Sequence, residues 1–201
     1  MQQQSSHQSQ HRYQDLISLF EQVFFEQYNT RLIKGGDEPL YAPADVNCDY
    51  HQIIFAHGYY ASAFHEIAHW CHAGEKRRLL EDFGYWYIPD GRNEKQQHKF
   101  EQVEVIPQAI EWAFNVAAQK TFHTSADNLN GYLGDTQGFK AKVHQQVLTF
   151  IEKGFPPRAQ QFIDALTLFY QTAAPLTVSQ FNYREDSSPN ESIVMSNKEI
   201  V

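Results

Sequence analysis

Cysteine is nearly absent. Cys48 and Cys71 are the only two in 201 residues. Two thiols make no disulfide framework worth the name, so a reduced, cytoplasmic setting is expected. Long apolar runs are missing too. Nothing approaches the roughly 18 consecutive apolar residues that mark a bilayer span. The N-terminus has no basic segment leading into an apolar one, so neither a membrane association nor a signal peptide is expected. Positive charge is scarce: 16 Lys and Arg stand against 24 Asp and Glu, a formal net charge of −8. That balance argues against nucleic acid as the main ligand, because phosphate backbones are held by clustered Lys and Arg. It suits a cationic substrate or partner. What the chain does have is a 42% hydrophobic and 14% aromatic content, enough for a real core, and ten histidines.

The Gln-, Ser- and His-rich start and the polar end show no apolar period. Residues 1–12 and 185–201 therefore read as disordered tails around a single domain over 13–184. His7 and His11 fall in the first tail and read as solvated. Tyr13 to Tyr28 is an amphipathic helix, with Leu16, Leu19, Phe20, Val23, Phe24 and Tyr28 recurring at three and four. Arg31–Lys34 and Gln52–Ala56 have strand length and apolar content, and Gly35-Gly36-Asp37 turns the chain after the first. Pro39 to Pro43 is extended. Gly84–Ile88 reads as an aromatic strand closed by the turn Pro89-Asp90-Gly91-Arg92. Helices are expected from Glu94 to about Lys120, from Phe139 to Lys153, and from Arg158 to Gln171. Pro107 should kink or break the first of these. The resulting fold class is α+β, a small mixed sheet packed by several helices.

One stretch carries chemistry: Phe64-His65-Glu66-Ile67-Ala68-His69-Trp70-Cys71-His72. It contains H-E-x-x-H. On a helix, residues i and i+4 share one face one turn apart, so two imidazoles can reach one metal ion with Glu66 beside it. No proline interrupts, and Tyr60, Phe64, Ile67, Ala68 and Cys71 form an apolar stripe. Gly74 is the expected stop.

Two histidines do not hold a catalytic metal alone, and a third protein ligand is needed. His72 shares the helix but cannot converge easily with both His65 and His69. Glu75 could return to the metal if the chain turned sharply at Gly74. Glu101 and Glu104 lie on the next long helix. Its apolar face centres near Val103, Ile110 and Phe114, which puts Glu104 and Glu111 at the edge and Glu101 further round toward solvent. A carboxylate at the rim of a buried face must be paired or metal-bound to offset its desolvation. Glu104 is thus the first choice, with Glu75 and Glu101 in reserve.

These segments, read with Asn29-Thr30-Arg31-Leu32-Ile33-Lys34-Gly35, Glu38-Pro39-Leu40-Tyr41, the run Phe55 to Ala63, Phe83-Gly84-Tyr85-Trp86-Tyr87, Pro89-Asp90-Gly91-Arg92, and Phe100 through Trp112, resemble the bacterial elongation factor P hydroxylase (EpmC) family. The resemblance covers about residues 13–180. It implies hydroxylation of elongation factor P on a lysine that already carries a β-lysyl group. It also implies a fold similar to the YbeY type of metal-dependent endoribonuclease, and a two-histidine, one-carboxylate metal set of the non-haem iron kind, carried onto His65 and His69.

Such a set leaves positions open for O₂, and Fe(II) is the natural metal for attack on an unactivated C–H bond. Zinc or another divalent ion would support only Lewis-acid or hydroxide chemistry. Glu66 would be the base in a zinc hydrolase and an orienting acid in an oxygenase. Asp90 and Glu101 are candidates to meet the substrate amines. Tyr59, Tyr60, Tyr85, Trp86 and Tyr87 are candidates for the pocket wall, although such aromatics are more often core. His57 reads as a satisfied core histidine, and Arg92, a lone arginine after a turn, as surface rather than a 2-oxoglutarate anchor. Two rivals remain: a zinc metallopeptidase, and a binding module for a translation factor whose metal is structural and closed by Cys71 or His72.

Overall fold

The computed structural model describes residues 11–84, 90–125, 128, 130–132 and 134–182. Its first helix, α1 (Tyr13–Tyr28), buries Leu16, Phe20 and Phe24, each one turn from the next. The helix ends where Asn29 takes a left-handed conformation, φ 45°, which a short polar side chain tolerates better than most. β1 (Thr30–Lys34), β2 (Leu40–Ala42) and β3 (His51–Phe55) then form one sheet in the order β1-β3-β2. β3 runs parallel to β1 and antiparallel to β2, so the sheet is mixed. Leu32, Ile53 and Tyr41 are register partners and form one buried row across it.

Two glycines shape this region. At Gly35 the backbone passes so close to β3 that a Cβ would lie 2.4 Å from Ile54 Cγ2. Gly58, with φ +81°, makes the turn that delivers β3 into the next helix, a conformation glycine adopts without steric penalty.

That helix is α2 (Tyr60–His72), followed by α3 (Glu94–Ala117), α4 (Thr136–Lys153) and α5 (Pro157–Tyr170). α2 packs on β3 and against α3, while α3 also packs against α4 and α5. Aromatic rings fill the space between them. Trp70 lies 4.9 Å from Phe24 and 5.3 Å from both Phe20 and Tyr28, centroid to centroid. Phe162 of α5 meets Phe20, Phe24, Phe64 and Phe114. Burying each such side chain contributes about 2–3 kcal/mol, so this cluster locks α2 between α1 and α5.

The described residues are α+β, with five helices and a three-stranded mixed sheet. None of their helices is long and apolar enough to cross a membrane. Several expectations need correction. α2 ends at His72, before Gly74, because Ala73 is already extended. α3 runs unbroken through Pro107 and stops at Ala117 rather than Lys120. α4 starts three residues early, at Thr136, because the Asp135 side chain accepts from the Gly138 amide and caps it. Gly84 closes a short 3-10 turn over Glu81–Gly84, and the rest of the expected aromatic strand, 85–88, lies outside the described residues. His11, read as solvated tail, stacks on Tyr170 at 5.0 Å, and its Nε2 lies 2.6 Å from the Ala118 carbonyl oxygen.

Candidate metal centre

α2 presents two faces. Ala63, Phe64, Ile67, Ala68, Trp70 and Cys71 are buried against the core. His65 and His69 stand on the other side, one turn apart, with imidazole centroids 4.7 Å apart. The helix is pinned at its C-terminal end, where carbonyls have no helical partner. Arg158 of α5 donates to the carbonyls of Trp70, Cys71 and Ala73, and Arg78 donates to Ala73 as well. The α2 backbone that carries both histidines is therefore tied to a distant part of the chain.

α3 faces α2 with a polar seam. Gln97, Glu101, Glu104, Gln108, Glu111 and Asn115 are all buried, and their spacing of four, three, four, three, four keeps them in one stripe down the helix. Glu104 is 1% exposed and comes directly opposite the histidines. The Nε2 atoms of His65 and His69 lie 3.1 Å apart. His69 Nε2 is 3.2 Å from Glu104 Oε1, and His65 Nε2 is 3.6 Å from Glu104 Oε2.

Three ligand atoms held about 2.1 Å from one ion stand about 3.0 Å apart at right angles and about 3.4 Å apart in a tetrahedron. Two of the observed separations fall within that range and the third, 3.6 Å to the other Glu104 oxygen, lies just beyond it, so His65, His69 and Glu104 could hold a metal with little movement. The donor chemistry agrees. Two imidazole nitrogens face each other at hydrogen-bond distance, so a proton or a cation must lie between their lone pairs. Two imidazoles and one carboxylate suit a divalent first-row ion.

The electrostatics point the same way. Burial alone would push the His65 imidazolium pKa down. The Glu111 hydrogen bond and the charges of Glu104, Glu111 and Glu66 outweigh that and lift it to about 10. Burial alone would raise the Glu104 carboxyl, but the charge and hydrogen bond of His69, then His65 and Gln108, hold it far below the usual carboxylate range. Without a metal the site thus favours a positive charge on the His65 imidazole. Glu66 sits beside this group. Burial pushes its carboxyl upward, and the charges of His65 and His69 offset that only in part.

The other candidates separate clearly. Glu75 is exposed. Among the described residues the cluster consists of His65, His69 and Glu104, so neither Cys71 nor His72 joins it; Cys71 is buried in the core and His72 is exposed. Glu101 is not turned toward solvent as its helix position suggested. It is 4% exposed and accepts from Gln97 Nε2 at 3.2 Å. Val103, expected at the centre of the apolar face, is only half-buried, while Ile110 and Phe114 are fully buried. The reason is that α3 is enclosed by several elements and buries a wider arc than a surface helix does.

Asp90 is occupied locally, accepting from the Gly91 and Asn130 amides and from Asn130 Nδ2. Arg92 is buried, not surface: its Nε donates to Gln97 Oε1 and its guanidinium lies 3.8 Å from the Phe100 ring centroid. His57 is not a core histidine. It sits in the turn before α2 with φ 52°, its side chain 44% exposed and 3.6 Å from Asp37. Of the expected pocket aromatics, Tyr60 belongs to the core and Tyr59 is exposed, while Tyr85, Trp86 and Tyr87 lie outside the described residues. Sequence reasoning did not single out Gln108, whose amide contacts Glu104 Oε2 at 3.3 Å while its oxygen accepts from the Ser125 backbone amide. The four-three alternation of polar residues along α3 was the signal that could have found it.

Two comparisons with known proteins bear on this centre. Residues 19–181 match the family described as elongation factor P hydroxylase. The chain is 54% identical over 173 residues to the elongation factor P lysine hydroxylase of Haemophilus influenzae, an alignment that covers 86% of this chain and 97% of that protein.

Proposed function

The chain belongs to the elongation factor P hydroxylase family, and from that premise we propose that it hydroxylates the β-lysylated lysine of elongation factor P as a cytoplasmic, Fe(II)- and O₂-dependent monooxygenase. The observation that carries the metal half of this reading is the convergence of His65, His69 and Glu104 from two helices. Fe(II) bound there supplies the oxygen-dependent redox chemistry needed at an unactivated C–H bond, which no side chain possesses. The protein contributes placement. His65 and His69 present Nε2 from one helix face, and Glu104 adds a single negative charge from α3, which packs against α2. With three protein ligands, an ion held there would keep coordination positions that the protein does not fill.

Glu66 is assigned an orienting role beside the metal. Burial raises its pKa, the charges of His65 and His69 oppose this, and its place one residue from His65 sets it beside the ion. The negative charge of Glu104 and, one turn ahead of it on the same seam, of Glu101 would favour the substrate amines. The likeness to the YbeY-type fold that the resemblance implies belongs to the same reading, with a small mixed sheet presenting a metal-bearing helix.

Mass spectrometry of elongation factor P tests it. Factor isolated from cells lacking this protein should be one oxygen lighter on its modified lysine. The wild-type gene should restore the oxygen, and His65→Ala, His69→Ala or Glu104→Ala should not. Full restoration by all three variants would sink the metal-dependent reading. Cleavage of peptides by the zinc-loaded protein, abolished by Glu66→Gln, would instead favour a metallopeptidase.

A further inference from the structure

His65 has two ring nitrogens, and the structure gives each a different carboxylate. Nε2 points to His69 and Glu104. Nδ1 lies 3.0 Å from Glu111 Oε2, on the far side of the ring. Glu111 stands seven residues after Glu104 on α3, two turns along the same buried seam, with its side chain 11% exposed. The helix that carries it is held in place, since α3 packs on α2, α4 and α5. We propose that Glu111 is a positioning residue for the metal centre. It accepts the Nδ1–H of His65, which fixes the ring orientation and the tautomer that leaves Nε2 free to bind the ion.

The argument is geometric. An imidazole can ligate through Nε2 only if its remaining proton sits on Nδ1. A buried acceptor at Nδ1 selects that tautomer, and an anionic one also makes Nε2 a stronger donor to the metal. A free histidine at a helix surface rotates about two torsions, and holding one ring in place would otherwise weaken metal binding. The role rests on the metal reading of His65, His69 and Glu104 but concerns a residue outside that set.

Cobalt(II) titration of the full-length protein tests the role without using hydroxylase activity. Chelator competition reads the affinity, and the visible ligand-field bands read the coordination. Glu111→Ala should weaken cobalt binding by about 10- to 100-fold, the usual effect of removing such a partner, and should change the bands. Glu111→Gln keeps an oxygen acceptor at nearly the same place and should recover most of the affinity. Thermal unfolding of each metal-free variant separates positioning from folding. Unchanged cobalt affinity and bands in Glu111→Ala, whatever its melting temperature, would overturn the proposal, as would an equal loss in Glu111→Gln and Glu111→Ala. Wild-type protein that fails to bind cobalt at all would sink the three-ligand reading, and this role with it.

Discussion

Replacing Arg158 with methionine should lower the melting temperature of the metal-free protein by about 6–12 °C. The guanidinium donates to three carbonyls at the C-terminal end of α2 and lies 4.8 Å from the Trp70 ring and 5.5 Å from the Tyr28 ring. Methionine keeps much of the apolar stem against those rings but satisfies none of the carbonyls. All three contacts come from one nitrogen, Nη2, whose two N–H groups are shared among them; hydrogen bonds from a charged donor contribute about 1.5–3 kcal/mol each, partial solvent access takes these toward the lower limit, and about 3 kcal/mol in total is at stake. At about 2–4 °C per kcal/mol for a domain of this size, the stated fall follows. His69 lies in the last turn of α2, where its carbonyl accepts from the Ala73 amide. Fraying there should also weaken cobalt(II) binding by a few-fold. Lysine at this position keeps the charge but loses the planar guanidinium that lies against the Trp70 and Tyr28 rings, so Arg158→Lys should recover only part of the loss. Scanning calorimetry on the three proteins decides the matter. A shift below about 2 °C for the methionine variant would refute the idea that this arginine holds the metal-bearing helix, since the charge-assisted bonds would then be worth nothing net.

Metal binding should strengthen as pH rises from about 6.5 toward 10, because a raised His65 pKa means its proton must leave before Nε2 can ligate; cobalt affinity that is flat across this window would count against it. Metal-free stability should move the other way. The raised pKa of His65 stabilises the fold fully below its ordinary value of 6.5, and that contribution is lost as pH climbs through about 10. The depressed Glu104 contributes above its ordinary 4.5 and is lost as acid protonates it, so urea midpoints of the metal-free protein should peak between about 4.5 and 6.5. Gln108→Ala removes the amide on Glu104 and the clamp on Ser125 together. Protease cutting near residues 121–125 should therefore increase, and unchanged cutting would argue that the loop is held by other contacts.

Periodicity read the helices well because each buries a recurrent apolar face: Leu16, Phe20 and Phe24 on α1 lie where spacing put them. The sheet was legible for the same reason in β1 and β3, while their direct parallel pairing, with β2 antiparallel on the other edge of β3, was not, since register depends on partners far along the chain. The burial of Arg92 and Glu101 escaped the sequence because a polar side chain signals solvent by default. Only packing from several sides revealed that α3 encloses a polar seam.

The sequence by itself determined the two imidazoles, because H-E-x-x-H on an uninterrupted helix places them one turn apart by backbone geometry alone. It could rank Glu104 and Glu101 only by helical angle, and Glu75 only by whether the chain turned sharply at Gly74. Tertiary structure decided which carboxylate stands against them, and it did so through the packing of α3 on α2, a relation between residues about 40 positions apart in the chain that no local rule encodes. The same packing brought Glu111 to the back of His65 and Arg158 to the end of α2.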